Sequence, residues 1–164
     1  MAVFTYRMPA GIPGAIMRAQ EATVDAAVLD TTNYPTAYGV PVVIDATSKS
    51  MRKVLAGDVA ASIFGIYVRP YPTSNGSTSD GLGTSTPPVS GIGNVLKRGY
   101  MTVQLNYGTA TKGGAVYVRT VSGASTIIGG FEAAADGSNS FALANAYFNG
   151  TADSNGQVEI AFNL

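Results

Sequence analysis

The chain contains no cysteine, no histidine and no tryptophan. Without cysteine there is no disulfide framework, no thiolate nucleophile and no zinc–thiolate site. Without histidine, the commonest general base and the commonest metal ligand are missing together. Catalysis would fall to carboxylates, hydroxyls, lysine or tyrosine. Charge is scarce too: 12% of the 164 residues are charged, against about 25% in an ordinary protein. Lys and Arg number 10, Asp and Glu 10, for a formal net charge of zero. The basic residues are scattered, in runs no longer than Arg52-Lys53 or Lys97-Arg98. A nucleic-acid binder needs a basic face to displace counterions from phosphate, so direct nucleic-acid binding is not expected. No apolar run approaches the roughly 20 residues of a membrane helix, and no membrane partner is expected. The opening MAVFTYRMPAGI has no continuous apolar core behind a basic start, so the expectation is synthesis in a cytoplasm without a secretory leader.

What is present is punctuation. The 20 glycines, the 8 prolines and clusters of Ser, Thr, Asn and Asp interrupt the chain at short intervals. Between them lie segments of period-2 alternation, the mark of half-buried strands. In residues 157–164, Val158, Ile160, Phe162 and Leu164 fall on one face, with Gln157, Glu159 and Asn163 on the other. Asn155-Gly156 before them is a hairpin dipeptide, because both central residues of a type I′ turn need positive φ. The apolar run 141–148 is the expected hairpin partner. Residues 100–107 alternate as well, with Met101, Val103, Leu105 and Tyr107 opposite Thr102, Gln104 and Asn106. In 115–121, Val116 and Val118 alternate with Tyr117 and Arg119. Residues 40–44 and 62–69 are rich in β-branched and aromatic side chains, and Pro70 and Pro72 end the second, since proline cannot donate to a ladder. Several short strands with frequent turns predict an all-β fold, a small β-barrel or sandwich.

Two segments depart from this pattern. Pro9, Gly11, Pro13 and Gly14 exclude regular structure near the start, so residues 1–18 read as an extended N-terminal arm and 19–164 as a single β domain. Residues 19–29 fit either a short strand or a helical turn. Residues 73–93 are dominated by Ser, Thr, Gly and Pro and read as a long flexible loop, too poor in apolar side chains to order themselves.

Each candidate for chemistry has a plainer explanation. Glu132, Asp136 and Asp153 are the carboxylates nearest one another in the C-terminal half, and a glycosidase needs two about 5–10 Å apart. Asp136-Gly137 and Asp153-Ser154-Asn155-Gly156 are turn sequences, where aspartate bonds local backbone amides, and the turn reading is favoured. A calcium loop starting at Thr151 would need a glutamate where Phe162 stands. Gly91-Ile92-Gly93 and Lys112-Gly113-Gly114 match no phosphate-binding fingerprint and read as turns. Ser48 and Ser50 flank Lys49, but sequence neighbours on a strand face opposite ways, which argues against a Ser–Lys pair. No catalytic residue, metal ligand or cofactor is expected. The nine tyrosines suit either an interface or the rim of a barrel.

Longer stretches resemble a family of tailed-phage capsid decoration, or structural cement, proteins. The resemblance runs through Met8-Pro9-Ala10-Gly11-Ile12-Pro13-Gly14 with Arg18, and through Tyr38-Gly39-Val40-Pro41-Val42. It continues in Gly65-Ile66-Tyr67-Val68-Arg69-Pro70-Tyr71-Pro72 and Leu96-Lys97-Arg98-Gly99-Tyr100-Met101-Thr102-Val103. It closes with Lys112-Gly113-Gly114-Ala115-Val116-Tyr117-Val118-Arg119, Gly130-Phe131-Glu132-Ala133 and Asn145-Ala146-Tyr147-Phe148. The resemblance implies a virion subunit on the capsid exterior, bound to the major capsid protein, trimeric at threefold or quasi-threefold sites, and without catalysis. Expected capsid or oligomer contacts are Phe4, Tyr6, Arg7, Ile12, Ile16, Arg18, Tyr38, Arg69 and Tyr71. The competing expectations are another virion structural subunit, such as a tail or head–tail connector protein, and a carbohydrate-binding module with tyrosine platforms.

Overall fold

The computed structural model describes residues 11–70, 86–124 and 126–164. It is nearly all β. The strands are β1 (Thr23–Val28), β2 (Pro41–Ile44), β3 (Met51–Lys53), β4 (Ile63–Tyr67), β5 (Ile92–Tyr107), β6 (Ala115–Arg119), β7 (Phe131–Glu132), β8 (Ser140–Phe148) and β9 (Gln157–Phe162). Hydrogen bonding runs in the order β3-β2-β4-β5-β7-β6-β8-β9, and β9 returns to pair with β5. That last pairing closes a small barrel from β5, β7, β6, β8 and β9, which leaves no open edge in this half.

The 16-residue β5 organises everything else. Its first half has partners on both edges: Val95 lies opposite Asp25 of β1 and Tyr67 of β4, and Leu96 opposite Val24 and Ile66. Its second half pairs with β9 from Gly99↔Phe162 to Gln104↔Gln157 and then meets β7 in parallel. The junction is Gly99, at φ +134°, where an added Cβ would stand 3.0 Å from the Cα of Ala22. Only a residue without a side chain lets the chain cross so closely.

Alternation along β4 and β5 feeds two cores. Val95, Tyr67 and Val42 join Leu29, Tyr38 and Met51 in a smaller cluster. Leu96, Ile66 and Val43 face the other way, into the barrel core with Met101, Val103, Val118, Phe131, Phe148 and Ile160. Strands buried on both faces lose the polar positions that would otherwise mark one side. The smaller sheet is almost closed as well, since Leu29, just beyond β1, bridges to Met51 of β3.

The hairpin expected from residues 141–164 is present, with Ala146↔Phe162, Tyr147↔Ala161 and Phe148↔Ile160 in register. Three boundaries differ from the sequence reading. Residues 19–29 form a helical turn and a strand in succession, a 3₁₀ turn at Ala19–Glu21 and then β1. The Gly91-Ile92-Gly93 turn is instead the opening of β5, which begins at Ile92, so the last two residues of the loop 73–93 are strand. Of the arm 1–18, residues 14–17 are tied to the domain. Gly14 N donates to Thr102 O at 2.9 Å, Thr102 N to Ala15 O at 3.1 Å and Met17 N to Tyr100 O at 3.0 Å. The prolines and glycines that forbid a helix leave this stretch able to dock along a strand.

Candidate interaction surface

The carboxylates are structural in their bonding. Glu132 is fully buried, and its Oε1 accepts from Arg119 Nε at 2.7 Å. Arg119 Nη1 donates to Asp136 Oδ2 at 2.6 Å. Alternation predicts an outward Arg119; the side chain does lie on the face opposite Val118, yet it is buried with its two acids. Asp153 Oδ1 accepts from the backbone N–H of Asn155 and Gln157, both at 2.9 Å, which is the turn bonding its sequence suggests. Lys49 Nζ donates to Ala46 O at 2.6 Å, while Ser48 Oγ and Ser50 Oγ lie 2.5 Å apart and both donate to Asp30. Among the described residues, no group of three or more Asp and Glu converges as a metal site.

A second acidic group holds the turns of the smaller sheet. Arg52 donates two hydrogen bonds to Asp58, at 2.7 and 2.9 Å, and lies 3.5 Å from Asp45. The Arg52 contact pulls the Asp58 carboxyl below its ordinary value, and backbone amides do the same for Asp30 and Asp45. A carboxyl depressed by folding stabilises the native state above its unfolded value, near 3.8, and that stabilisation disappears as pH falls through the lower folded value. The thermal midpoint is therefore expected to hold from pH 7 to about pH 5 and to drop below about pH 4. In Asp58→Asn the midpoint should be lower at pH 7 and fall less on acidification, as scanning calorimetry would record.

Of the expected contact residues, Phe4, Tyr6, Arg7 and Tyr71 lie outside the described residues. The structure brings four of the others together. Arg69 Nε donates to Pro13 O at 3.0 Å, and its guanidinium carbon is 4.8 Å from the Tyr38 ring centre. Ile12 and Ile16 line a hollow against the other side of Arg69, with Val68 and Pro70. Arg18 stands apart, 3.7 Å over the ring of Tyr100 and 3.5 Å from Glu159.

Sequence reasoning missed a surface on the β1–β5 ribbon. Val28 lies opposite Ile92, and Ala26 opposite Asn94, so their side chains share a face. On that face Ile92 is 71% exposed, Val28 58% and Val24 40%. Among the described residues no strand pairs with the other edge of β1. An unpaired strand edge beside an apolar face is a template for further pairing. The signal in the sequence was faint, because Val24, Ala26 and Val28 alternate with Thr23, Asp25 and Ala27 as any half-buried strand would.

A double-layered β fold with one sealed half and one apolar ribbon open to solvent is suited to assembly. The chain matches the family model of the XM1 gp53 minor capsid protein over residues 1–162. It belongs to that family. The minor capsid family is one of virion structural proteins, which places the chain among capsid-associated subunits of tailed phages. A solved structure titled "The capsid of Myoviridae Phage XM1" contains a chain of the same fold, at TM-score 0.66 and 19% identity, covering 98% of this chain and 95% of that one. No curated protein matches the chain. The fold shared by this minor capsid protein and the XM1 chain thus extends over nearly the full length of both.

Proposed function

We propose that the protein is a head decoration, or cement, subunit. It binds the outer surface of the capsid as a homotrimer at threefold or quasi-threefold sites, ties neighbouring major capsid subunits together and catalyses nothing. The observation that carries this reading is the β1–β5 ribbon, an apolar face beside a strand edge that is unpaired among the described residues, on a protein with few charges. Such a surface is stable in solution only at a penalty, and is relieved by contact with other subunits. A protein that binds only the assembled lattice stabilises it by mass action, and many copies bridging several subunits each make modest contacts collectively strong. The zero net charge fits a partner that is protein rather than nucleic acid or membrane. The protein is made in the host cytoplasm and ends in the virion.

The N-terminal segment supplies a second attachment. In residues 2–10, Phe4, Tyr6 and Met8 alternate with Val3, Thr5 and Arg7, a pattern suited to adding a strand to a neighbouring capsid sheet. Because residues 14–17 bond to β5, the informative truncation stops at residue 10. Deleting residues 2–10 should leave the thermal midpoint nearly unchanged and reduce binding to undecorated heads by tenfold or more, on the order of an anchoring aromatic pair. Truncated protein that decorates heads as well as the full chain would remove the arm from the reading.

Quantitative mass spectrometry of purified virions tests the whole proposal. A copy ratio to the major capsid protein near unity supports lattice-wide cement. A ratio of a few per cent would instead indicate a tail or connector subunit, and absence from the particle would overturn the decoration reading.

A further inference from the structure

The two halves of the molecule each hold an unmatched charge. Arg98 lies opposite Thr23 where the β1–β5 ribbon meets the barrel, and it is exposed. Among the described arginines, Arg18, Arg52 and Arg119 are ion-paired, and Arg69 donates to Pro13 O. Arg98 has neither kind of partner among the described residues.

At the far end of β5 a hollow of about 550 Å³ opens between residues 105–110 and 151–156. Asp153 is the only charged residue among those that line it. Its Oδ1 accepts from the N–H groups of Asn155 and Gln157, while Oδ2 has no hydrogen bond or ion pair among the described residues. The other walls include Leu105, Ala152 and Tyr107, and Tyr107 is 51% exposed. One carboxylate beside aliphatic and aromatic surface suits an arginine, whose methylene stem packs on apolar groups while its guanidinium is bonded.

We propose that Arg98 of one copy enters this hollow on the next and pairs there with Asp153, joining the copies head to tail. The contact rests on the homotrimer proposed above and names the residues that build it. It cannot form within one chain, because Arg98 and Leu105 are about 20 Å apart along β5 at the rise of an extended strand, farther than an arginine side chain spans. A contact between two different surfaces of the same protein closes into a ring when its rotation allows, and a trimer is such a ring. The arrangement also brings the ribbon against the neighbour, so that Val24, 40% exposed beside Arg98, is covered together with Tyr107. Charge and apolar surface are thus matched by the same contact.

The test uses the absence of cysteine. Thr23→Cys and Ser154→Cys are exposed substitutions, one beside Arg98 and one in the hollow. A chain carrying both should oxidise to a covalent trimer, in solution or on undecorated heads, and a chain carrying either alone should not. In sedimentation, Arg98→Met and Asp153→Asn should each weaken trimer assembly about tenfold, on the order of one charge-assisted hydrogen bond, and the double variant should be no weaker than either. Asp153→Asn keeps the Oδ1 acceptor that the turn uses, so its thermal midpoint should be nearly unchanged. No covalent trimer in either setting, or losses that simply add, would overturn the proposal. If the wild type still sediments as a trimer in that case, the homotrimer stands on other contacts. A wild type that is monomeric both in solution and on heads removes the homotrimer itself. Arg98→Met that binds heads more weakly while its trimers stay intact would give Arg98 to the major capsid subunit and overturn the pairing.

Discussion

Arg119→Met should destabilise the protein by about 3–5 kcal/mol, the largest loss expected from any single side chain here. The reason is what the substitution leaves behind. Glu132 is fully buried; Arg119 Nε is bonded to its Oε1, and its Oε2 has no hydrogen-bond partner among the described residues. Removing the guanidinium strands a carboxylate in a site where water cannot reach it, and an unpaired buried charge costs several kcal/mol. Replacing both residues, as Arg119→Met with Glu132→Met, should recover most of the loss, since exchange of a buried ion pair for apolar groups of similar volume is often neutral. Asp136→Asn should lose far less, because the Asp136 side chain is 43% exposed and its pair is screened. Urea denaturation of the four proteins measures all three values. An Arg119→Met loss below about 1 kcal/mol would show that the pair contributes little.

Gly65→Ala should cost about 3 kcal/mol for a single added methyl group. Gly65 lies in β4 opposite Val42 of β2, and a Cβ there would press into the carbonyl oxygen of Leu96 and stand 2.5 Å from Val95 Cγ1. The obstacle is the backbone of β5, which cannot turn aside as a side chain can. Moving β4 away would disturb Ile66 and Tyr67, which serve opposite cores. Gly113→Ala is the contrast, because its added Cβ meets nothing within 4 Å. Only its φ of +80° opposes the substitution, a strain of about 1–2 kcal/mol. Equal losses from the two variants would mean that β4 yields more readily than its packing implies.

These two sites also mark where sequence patterns stop being readable. β9 was legible because Val158, Ile160 and Phe162 alternate onto its inner face and a turn precedes it. That turn is not type I′, since Gly156 has positive φ and Asn155 does not, and Leu164 is exposed beyond the strand end. The first half of β5 was not, since Gly91, Gly93, Asn94 and Lys97-Arg98 resemble a loop and Val95 and Leu96 face different cores. β7 is two residues long, too short for any period, yet it supplies the glutamate that buries Arg119. Alternation assigned Arg119 to the outer face correctly, but only tertiary structure reveals that this face is covered. The resemblance to cement proteins named both Tyr38 and Arg69 as expected contacts, and the structure sets the two side by side. Their meeting with Gln104, Asn106 and Ile127 around one hollow was not legible, because it joins segments far apart along the chain.

The continuity of β5 through both cores has a mechanical consequence. Its neighbours run alongside it, so a pull along its axis loads many ladder hydrogen bonds together in shear. The same pull across a sheet edge would peel them apart one at a time. With no loop between the barrel and the smaller sheet at Gly99, strain entering one half passes into the other through covalent backbone. The two halves therefore yield as one unit, and a tug on either is resisted by the packing of both.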